Sequence, residues 1–177
     1  MHTCEKGGKV NNMKQPSTSS KENAEAAAEP TLPILVSACL LGERCRYDGK
    51  AQPCAAVIEL AKRHPVVAVC PEQLGGLPTP RMPSEVQTDG RVVDAAGIDR
   101  TGAFQTGARE ALRIAREHGC KQAILKENSP SCGVNRIYDG SFSGKLVAGS
   151  GVTAALLVNA GIEVLADTCL EKLPLLQ

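Results

Sequence analysis

The chain has no tryptophan and only two tyrosines and two phenylalanines in 177 residues. Single-stranded nucleic acid is held by bases stacked on successive aromatic rings along a basic groove. Neither ingredient is present here, because 20 Lys+Arg stand against 19 Asp+Glu, a formal charge of +1. A polymeric nucleic acid is therefore not an expected partner. No apolar run approaches the ~20 residues of a membrane-spanning helix, which predicts no membrane contact. The first thirty residues lack the apolar stretch of a secretory signal. They also lack arginine and carry Glu5, Glu22, Glu25 and Glu29, which argues against a transit peptide. A cytoplasmic location is expected.

What the chain does have is cysteine. There are eight, with no pair at the C-x-x-C spacing of a structural zinc site. In a reducing compartment, in a chain long enough to bury a core, they point to metal binding, catalysis or packing rather than to a disulfide framework.

Residues 1–30 are rich in Ser, Lys, Asn, Glu and Ala and hold almost no large apolar side chains. Such a segment buries too little to offset the entropy of ordering, so it reads as a disordered polar tail, Cys4 included, ahead of a single domain over 31–177. From Pro33 the pattern changes. "PILVSAC" (33–39), "PVVAVC" (65–70), "KQAILK" (121–126) and "GIEVLA" (161–166) are nearly continuous apolar runs, as strands buried on both faces should be. Between them lie helical candidates at 53–64, 100–119 and 150–161, with Pro53 at one start and Gly119 and Gly161 as stops. Strands alternating with helices predict an α/β domain with a parallel sheet. The segment 85–101 reads as a small inserted hairpin turning at Asp89-Gly90, and 137–144 as another turn or hairpin.

In a parallel sheet, ligands collect outside the carboxyl ends of the strands. Cys39 closes the first strand, Cys70 closes the second, and Cys132 lies in the loop leaving the third. One strand-end thiol is usually packing. Three crowded thiolates repel one another unless a metal or cluster accepts them, and three well-separated cysteines fit an iron–sulfur cluster with one iron left open. Cys45 is equally readable as a fourth ligand or a bystander. Cys54, Cys120 and Cys169 read as structural or incidental, and His64 and His118 as helix-end residues.

The stretches "ILVSACLLG", "CRYDG", "VCPEQLGGLPTPR", "GRVVD", "ILKENSPSCG", "IYDGSFSG" and "GVTAALL", in this order, resemble the thiouracil desulfurase family over about residues 33–167. The resemblance implies a Rossmann-like three-layer fold and a [4Fe-4S] cluster bound by three cysteines, which by motif are Cys39, Cys70 and Cys132. It also implies removal of sulfur from a thiolated heterocycle without net redox change. Water must then attack the thiocarbonyl carbon, and Glu72, two residues after Cys70, is the expected base, with Glu85 as a second acidic candidate. Ser129, in the Ser-Pro-Ser-Cys-Gly loop with Ser131, is expected to present a hydroxyl to the substrate, while Gly133 allows close approach. Gly75, Gly76 and the "AGSGVT" segment (148–153) read either as flexible loops or as bringers of backbone N–H groups to a ligand, and Arg46 and Arg81 either as solvated or as partners for negative charge. The competing readings are an iron–sulfur redox or sensing module, favoured if Cys45 ligates, and a structural zinc protein.

Overall fold

The computed structural model describes residues 31–170; the segment 1–30, read above as a tail, and residues 171–177 lie outside the described residues. The chain runs β1 (Ile34–Ser37), a 3-10 turn (Ala38–Leu41), α1 (Ala55–Ala61), β2 (Val66–Val69) and α2 (Pro71–Leu74). It continues through β3 (Ser84–Val86), β4 (Val92–Asp94), α3 (Thr101–Glu117), β5 (Gln122–Leu125), β6 (Arg136–Tyr138), β7 (Leu146–Ala148), α4 (Val152–Asn159) and β8 (Glu163–Ala166). The four apolar runs form a four-stranded sheet in the order β2-β1-β5-β8, with every neighbouring pair parallel.

Successive strand residues point to opposite faces, and both faces here are covered. Leu35, Ala123 and Leu125 pack with Ala111, Leu112 and Ala115 of α3 and Leu157 of α4. Ile34, Val36 and Ile124 pack on the other side with Val57 and Leu60 of α1. This two-sided burial is why the strands read as continuous rather than alternating hydrophobic runs. The chain leaves β1 toward the α1 face and leaves β5 toward the α4 face. The connections of these two adjacent strands therefore part at their carboxyl ends, where a parallel sheet can open a crevice.

Both inserted hairpins are present. β3 and β4 pair antiparallel around Asp89-Gly90, as do β6 and β7, and Gln87 donates to the Gly140 carbonyl at 3.1 Å to tie the two together.

The short helix α2 was not legible in the sequence, and its position depends on two glycines. A Cβ on Gly107 of α3 would lie 1.8 Å from the Pro71 carbonyl oxygen, and one on Gly75 would lie 2.1 Å from the Ala103 oxygen. The expectation that Gly75 offers its amide to a ligand is thus corrected: that N–H bonds the Pro71 carbonyl at 2.9 Å, and the missing side chain lets two backbones meet. Because α2 carries Glu72 directly behind Cys70, Gly107→Ala is expected to displace the site as well as overpack the core. A loss of about 2–3 kcal/mol is expected, the upper part of the overpacking range. Thermal unfolding checks it, and an unchanged melting temperature would contradict the packing described.

Candidate active site at the carboxyl edge of the sheet

A cavity of about 480 Å³ opens at this edge, and Cys39, Cys45, Cys70 and Cys132 all line it, together with Glu72 and Ser129. Each cysteine arrives by a different route. Cys39 sits in the 3-10 turn that follows β1, Cys70 caps the N-terminus of α2 directly after β2, and Cys132 lies in the loop after β5. Cys39 and Cys132 are 7% and 6% exposed, so thiols of low solvent access face one shared space.

The Cys132 loop is held by polar groups that the local sequence pattern did not single out. The buried Glu127 carboxylate accepts the backbone N–H groups of Val134, Asn135 and Arg136 at 3.1, 3.0 and 2.6 Å. Ser129 Oγ accepts those of Ser131 and Cys132, both at 3.1 Å. Buried Ser37, at the end of β1, accepts the Lys126 N–H at 3.0 Å across 89 residues of chain. Gly133 is required for this tight return, since a Cβ there would lie 2.7 Å from the Ser129 carbonyl oxygen.

The "AGSGVT" segment serves the same loop, contrary to its expected role. The N–H groups of Val152 and Thr153, opening α4, bond the Pro130 and Ser131 carbonyls at 2.9 Å. Their donors are spent on positioning the Cys132 loop rather than offered to a ligand. Ser131 also turns inward, pairing with Thr153 Oγ1 at 2.8 Å, so of the two loop serines named above it is Ser129 that lines the cavity.

On the opposite wall, Arg81 Nε and Nη2 each lie 2.7 Å from Glu72 Oε2. Both contacts fall on one carboxylate oxygen, which leaves Oε1 for a water. The two side chains are 7% and 16% exposed, so the pair is largely screened from bulk solvent. Arg81 Nη1 and Nη2 also bond the Cys45 carbonyl, at 3.2 Å each, and so tie the Cys45 loop to α2. Arg46, by contrast, is occupied within its own loop by Asp48 and Gln52. Glu85 lines the cavity too, with Oε2 accepting the Phe142 N–H at 2.9 Å. Cys120 is buried in the α3–α4 core, Cys54 caps α1 and Cys169 follows β8. All three stand apart from the cavity, as expected, and Cys4 lies outside the described residues.

Cys45, Cys70 and Cys132 resist ionisation in the metal-free protein. Cys45 is pushed up to about 11, first by its hydrogen bond with Cys39 and further by burial, and against a lowering bond with Cys70. Burial pushes Cys132 up to about 12 against a hydrogen bond from Ser37, and Cys70 is raised by its bond with Cys45 and by burial. A metal takes the thiolate, so loading must release protons. Folding is coupled to the same protons. A thiol raised from 9.0 to about 11 or 12 keeps its proton in the folded state after the unfolded chain has lost it. Stability is then full below pH 9 and falls as pH rises through that window. Thermal unfolding of cluster-free protein should show this decline, and Cys132→Ala should flatten part of it; a flat profile in the parent protein would contradict it.

No three His, Cys, Asp or Glu side chains among the described residues converge closely enough for a single metal ion. The four thiols that share the cavity form an all-sulfur donor set, which suits a multi-iron cluster chemically. The comparisons with known proteins agree. A solved structure of a [4Fe-4S]-dependent thiouracil desulfidase, TudS, is 46% identical, with a TM-score of 0.76, covering 81% of this chain and 95% of that one. YbbK of Bacillus subtilis (strain 168), an uncharacterized protein, is 44% identical over 143 residues, 76% of this chain and 95% of its own. The family model for 2-thiouracil desulfurase matches residues 34–168, from the first residue of β1 to just beyond β8. With the sheet, both hairpins and every cavity cysteine inside that match, the chain belongs to the 2-thiouracil desulfurase family.

Proposed function

We propose that this protein is an iron–sulfur-dependent desulfurase that hydrolyses a thiouracil-like thione to the oxo compound and hydrogen sulfide. Supporting this are the family match, the likeness to TudS, and one structural observation above the others. Three cysteines that follow three separate strands line the same cavity as a half-buried, arginine-paired carboxylate and a hydroxyl. In this reading Cys39, Cys70 and Cys132 hold the [4Fe-4S] cluster within a Rossmann-like three-layer domain. When bound, the cluster supplies an iron with an open position that takes sulfur and polarises the carbon–sulfur bond.

The remaining chemistry falls to the protein's own groups. Glu72 Oε1 accepts a proton from the attacking water, and Arg81 on Oε2 fixes the direction in which the carboxylate points. We prefer Glu72 to Glu85 because the latter's Oε2 anchors the backbone of the β6–β7 loop. The Ser129 oxygen already accepts two backbone N–H groups, so its own proton is the part left to donate to the heterocycle. Water's oxygen becomes bonded to the ring carbon, sulfur departs as hydrogen sulfide, and no electrons are gained or lost. Iron and sulfide analysis of protein purified without oxygen tests the cofactor assignment. About equal amounts of the two are expected, whereas a colourless zinc protein would refute it.

A second reading, a redox or sensing module, is favoured by one observation: Cys45 is 3% exposed and within hydrogen-bond reach of Cys39 and Cys70. Ligation by Cys45 would complete the cluster's coordination and leave no iron for a thione. For the domain organisation, we propose that residues 1–30 stand apart from the catalytic unit, since the family match begins at residue 34. Their deletion should leave melting temperature and cluster content unchanged, and a large fall in either would contradict that boundary.

A further inference from the structure

Aromatic side chains are scarce in this chain, yet three of the four, Tyr47, Tyr138 and Phe142, line the cavity that the cysteines share, while Phe104 is fully buried. Tyr47 is already engaged, with the Arg46 guanidinium 5.8 Å from its ring centroid. Phe142 is not. It joins neither of the two packed cores described above, and at 40% exposed it stands where the cavity meets solvent. Its backbone is in the left-handed region, at φ 56°, which glycine adopts freely and a bulky side chain only at a cost. The same loop uses glycine at its two other left-handed positions, Gly140 and Gly144, so the turn alone does not explain a phenylalanine between them. The surroundings nevertheless hold it there. Buried Glu85 accepts its N–H at 2.9 Å, and Gln87, two residues further along β3, holds the Gly140 carbonyl. Residues kept in such sparsely populated conformations by their neighbours cluster at ligand-binding sites.

Resting on the desulfurase reading, we propose that Phe142 determines substrate specificity: its exposed ring stacks on the face of the heterocycle. The site then selects flat, conjugated thiones over saturated cyclic thioamides of the same size and the same polar edge. An aromatic ring attracts a second flat π-system lying offset over it, and a ring puckered by sp3 carbons cannot make the same contact. Because Phe142 is open to solvent and outside both cores, a ligand entering the cavity reaches it without displacing packed side chains. Ser129 then reads the edge of the substrate and Phe142 its face.

The test compares 2-thiouracil with 5,6-dihydro-2-thiouracil, which keeps the thiocarbonyl, the carbonyl and both N–H groups but has two sp3 carbons that pucker the ring. Sulfide release is measured as kcat/KM for cluster-loaded wild type, Phe142→Gly and Phe142→Tyr. Each variant's preference between the compounds is divided by that of wild type, so that their different intrinsic reactivity cancels. Glycine keeps the left-handed backbone and the N–H that Glu85 holds, while tyrosine keeps the ring. Phe142→Gly should lose about tenfold of the wild-type preference for the flat compound, through KM rather than kcat. Phe142→Tyr should retain it, and both variants should keep the cluster content and melting temperature of wild type. An undiminished preference in Phe142→Gly overturns the assignment. So does an equal loss on both compounds, which would mean that the site rather than one stacking contact had been damaged, or a Phe142→Tyr that behaves as glycine does. Uracil and 5,6-dihydrouracil, the corresponding pair without sulfur, are titrated by calorimetry in parallel. If wild type releases no sulfide yet prefers uracil in a Phe142-dependent way, the desulfurase reading fails alone; if it releases sulfide with a preference indifferent to Phe142, the Phe142 assignment fails alone.

Discussion

Replacing Cys39, Cys70 or Cys132 with alanine, one at a time, is expected to reduce the visible absorbance, iron and sulfide of anaerobically reconstituted protein to background. Each thiol reaches the cavity after a different strand, so the loss of one removes the donor from that side of the cavity. Cys120→Ala and Cys169→Ala are expected to retain the cluster, because neither residue lines the cavity. Cys45→Ala separates the two functional readings. Its thiol lies close to both Cys39 and Cys70, so proximity alone makes it a competent ligand. Its carbonyl, however, is held by Arg81, which gives the Cys45 loop a structural reason to be there. On the open-iron reading Cys45→Ala keeps its absorbance and its sulfide release. Loss of the cluster in that variant would shift the assignment to a fully ligated redox centre.

Glu72→Gln is expected to slow sulfide release roughly a hundredfold or more, the usual cost of removing an acid–base group, while leaving cluster content unchanged. Glutamine is the informative substitution because its amide oxygen can still receive the Arg81 guanidinium. Glu72→Ala would instead strand a buried cation, a defect worth ~3–5 kcal/mol, and any loss of activity would then be confounded with unfolding. Thione binding, read as a perturbed cluster spectrum, should survive in Glu72→Gln. Undiminished turnover at equal cluster loading would remove Glu72 from the mechanism and return the role to Glu85 or an unassisted water.

The contrast between Glu72 and Glu127 shows where a sequence carries such information. Cys39, Cys70 and Cys132 could be grouped because each follows an apolar run, and in a parallel sheet all such runs end on one side. The same reasoning correctly set Cys120, which precedes β5, apart from them. Glu72 is named by its neighbour Cys70. Ser37 has no such signal, since its partner Lys126 lies 89 residues away, and the Glu127 carboxylate has none because its partners are the backbone N–H groups of Val134, Asn135 and Arg136, which leave no side-chain pattern to read. Helix α2 spans four residues, too few for a helical period to show. The glycines at 75 and 151 were misread for a related reason. A flexible glycine and one that admits another backbone look alike in sequence, and only the approach of Ala103 to Gly75 and of Ser131 to Gly151 tells them apart. Phe142 belongs with these, because its place beside the cavity is defined only once Glu85 has met its backbone N–H.

The central claim is non-redox hydrolysis at a cluster held by this cavity, and turnover of 2-thiouracil in oxygen-18-labelled water, without oxygen and without added reductant, tests it most directly. The expected result is one hydrogen sulfide and one uracil per thiouracil consumed, with the label at the former thione carbon and no turnover by cluster-free protein. Sulfide release that requires a reductant, product without the label, or equal activity in cluster-free protein would contradict it.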